Sequence, residues 1–197
     1  MVRVEQLAGG GLLTLHDPWL PSAEAEALLS TLQDTVVWKQ EKIRLFGREH
    51  FQPRLSAWMG DPGTIYRYSG LTLQPAPWTP ALAGLRERVE ATSGVPFNSV
   101  LLNYYRSGDD AMGFHADAEP ELGQNPVIAS VSLGGHRRFV LKPTRDLPDE
   151  APVTLSLGGG SLLVMSGTTQ HFWRHGVPRQ AGAGPRINLT FRRIVAS

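Results

Sequence analysis

In the stretch FHADAE (114–119), His115 and Asp117 are separated by a single residue. On an extended chain, residues two apart project from the same face. An imidazole nitrogen and a carboxylate oxygen so placed suit a divalent cation of hard-to-borderline character. A third ligand from a distant strand would complete a facial triad and leave three coordination positions open, the arrangement of non-haem iron(II) oxygenases. Standing alone, a His-x-Asp pair is explained more readily by chance than by metal binding. The chain has no cysteine, which excludes disulfides and thiolate sites and leaves His, Asp and Glu as the available metal ligands.

A second pattern lies near the C-terminus. In RINLTFR (186–192), Arg186, Asn188, Thr190 and Arg192 fall on one face of a strand, and Ile187, Leu189 and Phe191 on the other. The polar side either faces solvent or, if the sheet curls into a barrel, points inward. In the second case two buried arginines require an anion, because unpaired buried charge is costly. A small dicarboxylate meets that requirement, since guanidinium binds carboxylate through two parallel hydrogen bonds. Just upstream, HFWRH offers two histidines four apart, His171 and His175.

The elements that must position these residues are mostly strands. VLLNYY (100–105), VIASVSL (127–133), RRFVL (137–141), VTLSL (153–157), SLLVM (161–165) and RINLTFRRI (186–194) are short, rich in β-branched and aromatic residues, and separated by Gly, Pro or Asp. Such a series predicts a sandwich, jelly roll or barrel. A helix is expected over 21–33, with Ser22 as its cap. A second begins at Pro80 behind Thr79 and stops at Gly94. These helices are expected to cover one face of a sheet. IRLFGREHF alternates and predicts a hairpin turning near Phe46-Gly47. The fold class is therefore mainly β with flanking helices (α+β).

A chain of 197 residues with 41% hydrophobic and 19% charged residues suits one globular domain. No secretory signal pattern and no membrane-length apolar run is present, so a cytoplasmic protein without a membrane partner is expected. The formal net charge of +1 does not announce a nucleic-acid binder. Its distribution is uneven, because the chain from Ala151 onward holds five arginines and no acid. Either a solvated face or an anion-binding surface accounts for that.

The ordered set HADAE, RHGVP and PRINLTFRR resembles the AlkB family of iron(II)- and 2-oxoglutarate-dependent dioxygenases, most of all the branch that repairs alkylated DNA bases. The likeness runs from about Phe46 to Ile194. FNSVLLNYYRSGDDAMGFHADAEPELG and PVIASVSLGG follow the family's order and spacing. The resemblance implies a double-stranded β-helix (jelly roll) core at about 96–197, preceded at about 1–95 by N-terminal helices and a nucleotide-recognition lid. It implies that His115, Asp117 and His175 hold Fe(II), His175 being the histidine at the family's position and His171 a neighbour of the pocket or an exposed strand residue. It places Arg186, Arg192, Asn188, Asn103 and Tyr105 around 2-oxoglutarate. Asn103 and Tyr105 are again two apart, and Tyr104 between them should face away.

On the substrate side the resemblance implies that Glu119 reads the amino group of a methylated base and that the Tyr68 ring stacks on it. Tyr66 and Trp58 would line the same lid. Phe46 would be an apolar finger filling the gap left by a flipped base, or else a core residue. Relatives sometimes carry a further acid where this chain has Ala118, which leaves base preference open. The implied reaction uses Fe(II), 2-oxoglutarate and O2 to hydroxylate an N-methyl group, which leaves as formaldehyde while succinate and carbon dioxide form. DNA is the expected partner, with RNA, tRNA or a protein side chain as alternatives, and an inert nucleic-acid-binding jelly roll as the non-enzymatic one. A monomer is expected. His175→Ala should abolish iron binding and turnover, whereas His171→Ala should keep most of both. Iron titration of the two variants checks this, and equal losses would reverse the assignment.

Overall fold

The structure is a computed structural model. It describes residues 1–195 other than 46, 47, 65, 69, 70 and 74, and side chains outside 43–48 and 65–74. The chain begins with a hairpin, β1 (Val2–Leu7) and β2 (Gly11–His16), followed by helix α1 (Ser22–Thr35). A small hairpin follows, β3 (Lys42–Leu45) and β4 (Arg48–Phe51), then β5 (Leu55–Gly60) and a second small hairpin, β6 (Tyr66–Tyr68) and β7 (Leu71–Leu73). Helix α2 (Pro80–Ser93) leads into β8 (Ser99–Tyr105), β9 (Met112–His115), β10 (Ile128–Gly134) and β11 (Arg137–Pro143). The last third holds β12 (Val153–Leu157), β13 (Ser161–Gly167), the one-turn helix α3 (Thr169–Phe172), β14 (Trp173–Val177) and β15 (Arg186–Arg192).

Strands β8 to β15 divide evenly between two antiparallel sheets, as a jelly roll requires. The major sheet runs β1-β2-β13-β10-β15-β8-β5 and the minor sheet β12-β11-β14-β9. The first 95 residues therefore supply more than helices and a lid, since β1, β2 and β5 complete the major sheet on both flanks. Strands β9 and β14 are not evident from the sequence pattern either. MGFH and WRHGV each carry a glycine inside the strand, and glycine weakens the strand signal.

Alternation along the major sheet sorts two environments. Val100, Leu102, Ala129, Val131, Leu133, Ile187, Leu189 and Phe191 point to one side and pack with Leu32 of α1 and Leu82, Leu85 and Val89 of α2. The other side faces the minor sheet, where Leu101, Ile128, Leu163 and Met165 join Phe139, Leu141, Leu155, Leu157 and Trp173. Tyr104 lies on the helix side against Trp38, as its position between Asn103 and Tyr105 predicts, and its hydroxyl accepts from Gln33 Nε2 (2.8 Å). No helix among the described residues is long and apolar enough to cross a membrane.

Both expected helices are present, with one difference at a cap. Pro21, rather than Ser22, is the N-cap of α1, so that helix starts without a side-chain cap. In α2 the Thr79 hydroxyl accepts from Leu82 N (3.3 Å), Pro80 occupies the first helical position, and Gly94 ends the helix at φ 74. Thr79→Ala should cost about 1 kcal/mol of stability, measured by denaturant unfolding, with the helix content of the folded protein unchanged.

Candidate metal and co-substrate site

His115 closes β9, and His175 sits directly opposite it on β14. Asp117 follows two residues after His115 and is completely buried. One imidazole or carboxylate atom from each of the three lies within 4.8 Å of the other two. His115 Nδ1 lies 2.9 Å from the Gly113 carbonyl and donates to it, which leaves Nε2 for the site. The two Nε2 atoms approach opposite carboxylate oxygens, His115 at 3.9 Å from Asp117 Oδ1 and His175 at 3.7 Å from Oδ2. Phe139 stacks on the His175 ring (5.3 Å between centroids, 26° between planes), holding its orientation.

The electrostatics put Asp117 and His175 in ligand form. Burial alone would push the Asp117 carboxyl up, but Arg192, His175 and His115 outweigh it and hold its pKa at about 2. Burial, reinforced by His115, pushes the His175 imidazole down to about 3, so it is neutral and its nitrogen is free to coordinate. Asp117 Oδ1 accepts from Arg192 Nη2 (2.7 Å), and the Asp117 amide donates to Gln170 Oε1 (2.9 Å). Oδ2 is buried and accepts no hydrogen bond among the described residues. A buried carboxylate oxygen facing two imidazole nitrogens is a donor set that a divalent cation would satisfy.

A narrow pocket leads inward from this cluster, and the polar face of β15 lines it. Arg186, Asn188, Thr190 and Arg192 are all buried, so that face points into the barrel. Opposite them across the β15–β8 ladder stand Tyr105 and Asn103. The two arginines part company. Arg192 is tied to Asp117 at the metal end. Arg186 donates from Nη2 to Ser132 Oγ (2.9 Å), while its Nε and Nη1 have no hydrogen-bond partner among the described residues. Among those residues no carboxylate reaches ion-pairing distance of Arg186. Burial lowers its pKa to about 10, which still leaves it charged at neutral pH. Two unfilled guanidinium donors in a buried pocket fit a carboxylate.

Asn188 donates to Ser130 Oγ (2.7 Å) and accepts from the Thr190 hydroxyl (2.9 Å). Asn103 accepts a 2.7 Å bond from Arg54 Nε through Oδ1, which leaves its amide nitrogen as the group to offer a ligand. Arg54 and Gln170 were not singled out from sequence. Arg54 is the last of five Lys and Arg residues between positions 39 and 54, a stretch whose charge alone suits a solvated face, yet it is buried. Gln170 carries no pattern at all.

The remaining sequence candidates are placed as follows. His171 is exposed on α3, away from the cluster, and its neighbour Gln170 reaches Asp117 instead. Glu119 is half-buried just before a 3-10 turn (Pro120–Leu122). Trp58 belongs to β5 of the major sheet and is buried against Leu101, Tyr105 and Met112. Tyr66 and Tyr68 lie on β6, but their side chains fall outside the described residues, as does Phe46.

Comparison with known proteins agrees with this geometry. A family model described as the 2OG-Fe(II) oxygenase superfamily matches residues 11–192. The chain is 41% identical over 183 residues to the DNA oxidative demethylase ALKBH2 of Mus musculus, covering 88% of this chain and 76% of that protein. It is 40% identical to the Homo sapiens protein of the same name, covering 88% of this chain and 70% of that one. It is 38% identical to the Homo sapiens alpha-ketoglutarate-dependent dioxygenase alkB homolog 3, covering 94% and 67%. A solved structure, titled "The structure of OsALKBH1", shares the fold with a TM-score of 0.66 at 17% identity, covering 97% of this chain and 100% of that one. The chain belongs to the 2OG-Fe(II) oxygenase superfamily and, within it, to the AlkB family.

Breaking a buried ion pair from one side costs about 3 kcal/mol or more. Arg192→Met should therefore destabilise the metal-free protein by about 3 kcal/mol in denaturant unfolding. Added Mn(II) should recover part of that loss by compensating the stranded Asp117 carboxylate.

Proposed function

We propose that this protein oxidatively demethylates N-alkylated bases in DNA, of the 1-methyladenine and 3-methylcytosine type, releasing formaldehyde and succinate. The observation that carries the reading is the buried pocket with a His-Asp-His cluster at one end and, at the other, a guanidinium that pairs with no carboxylate among the described residues. The names of the relatives, DNA oxidative demethylase among them, support the substrate.

In this reading His115 and His175 hold Fe(II) through Nε2 and Asp117 through its carboxylate. Arg186 takes the distal carboxylate of 2-oxoglutarate, and Arg192 keeps Asp117 ionised and oriented beside the other end of the co-substrate. Asn103, Asn188 and Tyr105 hydrogen-bond the co-substrate, Asn103 from the amide nitrogen that Arg54 leaves available. When bound, iron and 2-oxoglutarate would activate O2, the oxidant that converts an N-methyl group to a labile hydroxymethyl. The apolar walls from Phe139, Met112 and Met165 keep bulk water from the pocket.

The base must leave the stack to reach the site, and a methylated Watson–Crick edge pairs poorly, which lowers the cost of flipping. Glu119 suits the positive charge that N-methylation places on the base. Tyr68 is assigned to stacking on the base, Tyr66 and Trp58 to lining the same lid, and Phe46 to the finger that would fill the vacated stack. The protein works as a monomer, on DNA in the cytoplasm or in a nucleus where the cell has one.

Incubation with Fe(II), 2-oxoglutarate and ascorbate under air should remove one methylene mass from 1-methyladenine or 3-methylcytosine in a DNA oligonucleotide. The loss should require both iron and 2-oxoglutarate, as read by mass spectrometry. Faster loss from the matched RNA would move the substrate to RNA. Consumption of 2-oxoglutarate without mass loss would move it away from these bases.

A further inference from the structure

Arg137, the first residue of β11, is fully buried, yet no carboxylate among the described residues comes within ion-pairing distance of it. Its guanidinium is held by backbone carbonyls instead. Nη1 donates to Ser107 (3.1 Å), and Nη2 to Asp110 (2.7 Å) and Pro178 (2.9 Å). The first two carbonyls belong to the loop that leaves β8, the strand of Asn103 and Tyr105. The third follows β14, the strand of His175. Arg137 thus ties together the exits of two strands that carry the site.

That loop is itself preformed. The Asp110 carboxylate accepts from the Arg106 backbone amide (2.9 Å), Nε (2.8 Å) and Nη2 (2.8 Å). Gly108 lies so close to the Gln180 carbonyl that a Cβ there would come within 1.8 Å of it. The two loops are packed against each other, with the Arg137 charge beneath them.

A buried cation with no ion pair is expensive, even with the Asp110 carboxylate attracting it from beyond pairing distance, and an apolar side chain of similar volume would hold a purely structural position at lower cost. What Arg137 reaches explains its presence. Its Cζ lies over the Tyr105 ring, 5.4 Å from the centroid, and Arg186 Cζ lies over the same ring at 5.3 Å. Two buried cations thus share one aromatic ring, which attracts both. They repel each other, and after burial and the opposing pull of Tyr105 this repulsion is a further influence on the Arg186 pKa. An excess of buried positive charge at this end of the pocket is relieved when an anion enters it.

We propose that Arg137 is a positioning residue for the 2-oxoglutarate end of the site: it fixes Tyr105 and, through that ring, the Arg186 guanidinium, and it adds a second buried positive charge that favours a carboxylate there. This rests on the assignment of Arg186 to the distal carboxylate. Side chains that never touch a ligand can shift its affinity by about tenfold through such contacts.

The test is R137Q, which keeps amide donors for the carbonyls and removes the charge. Calorimetry on Mn(II)-loaded protein under argon measures 2-oxoglutarate binding. A separate titration measures the methylated oligonucleotide. R137Q should bind 2-oxoglutarate about tenfold more weakly while oligonucleotide affinity stays within about twofold. In turnover, KM for 2-oxoglutarate should rise with kcat little changed. Equal 2-oxoglutarate affinity in folded R137Q, or parallel loss for both ligands, overturns the role of Arg137. A parent protein that binds no 2-oxoglutarate overturns the assignment beneath it. If R137Q is not recovered folded, R137K keeps the charge and should bind within about threefold of the parent, and a tenfold loss in it overturns the proposal.

Discussion

Arg192 donates a 2.7 Å hydrogen bond to an Asp117 carboxylate that is wholly shielded from solvent, and the barrel is organised around keeping that pair dry and satisfied. A buried carboxylate is tolerable only with a cation or strong donors close by. Arg192 supplies the first, from the last residue of β15. The Gln170 side chain fixes the Asp117 backbone from α3, a one-turn helix wedged between β13 and β14. The two histidines complete the surround from the minor sheet. Arg192, Gln170 and His175 come from parts of the chain distant from Asp117, so the pair exists only once both sheets have closed.

That requirement inverts the usual arrangement of the major sheet. Its centre places Asn103, Ser130, Ser132, Asn188 and Thr190 toward the interior, where a sandwich ordinarily buries aliphatic residues. The lost apolar contact is made up on the opposite face, where α1 and α2 cover Val100, Leu102, Val131, Leu133, Ile187, Leu189 and Phe191. The helices are thus a consequence of the site. A sheet that devotes its inner centre to polar groups needs a second layer outside to supply a core. The apolar part of the interior survives toward the minor sheet, in Phe139, Leu141, Leu155 and Trp173.

Three buried arginines, Arg54, Arg137 and Arg186, carry no ion pair among the described residues, while the buried acids among them, Asp110 and Asp117, are occupied by Arg106 and Arg192. A chain with a net charge of only +1 therefore holds a concentrated positive interior. Arg54 spends its Nε on Asn103 and so decides which end of that amide faces the pocket. An anion entering the pocket would meet a local excess of charge in a low-dielectric cavity, whatever the charge of the whole molecule.

The sequence by itself determined the alternation of β15 and β8, because side chains two apart on a strand share a face whatever surrounds it. Arg186, Asn188 and Arg192 against Ile187, Leu189 and Phe191, and Asn103 with Tyr105 against Tyr104, were legible for that reason. So were α2, written in Thr79, Pro80 and Gly94, and the family order of His115, Asp117 and His175. Which face of the strand is inside is a property of the closed barrel, and only the tertiary structure decided it. The tertiary structure also divided the labour of the two arginines, since Arg192 meets Asp117 across 75 residues of chain and Arg186 meets Ser132 across 54. Gln170, Arg54 and Arg137 left no local mark, because each acts through contacts with residues distant in sequence. Neither periodicity nor composition records a contact of that kind.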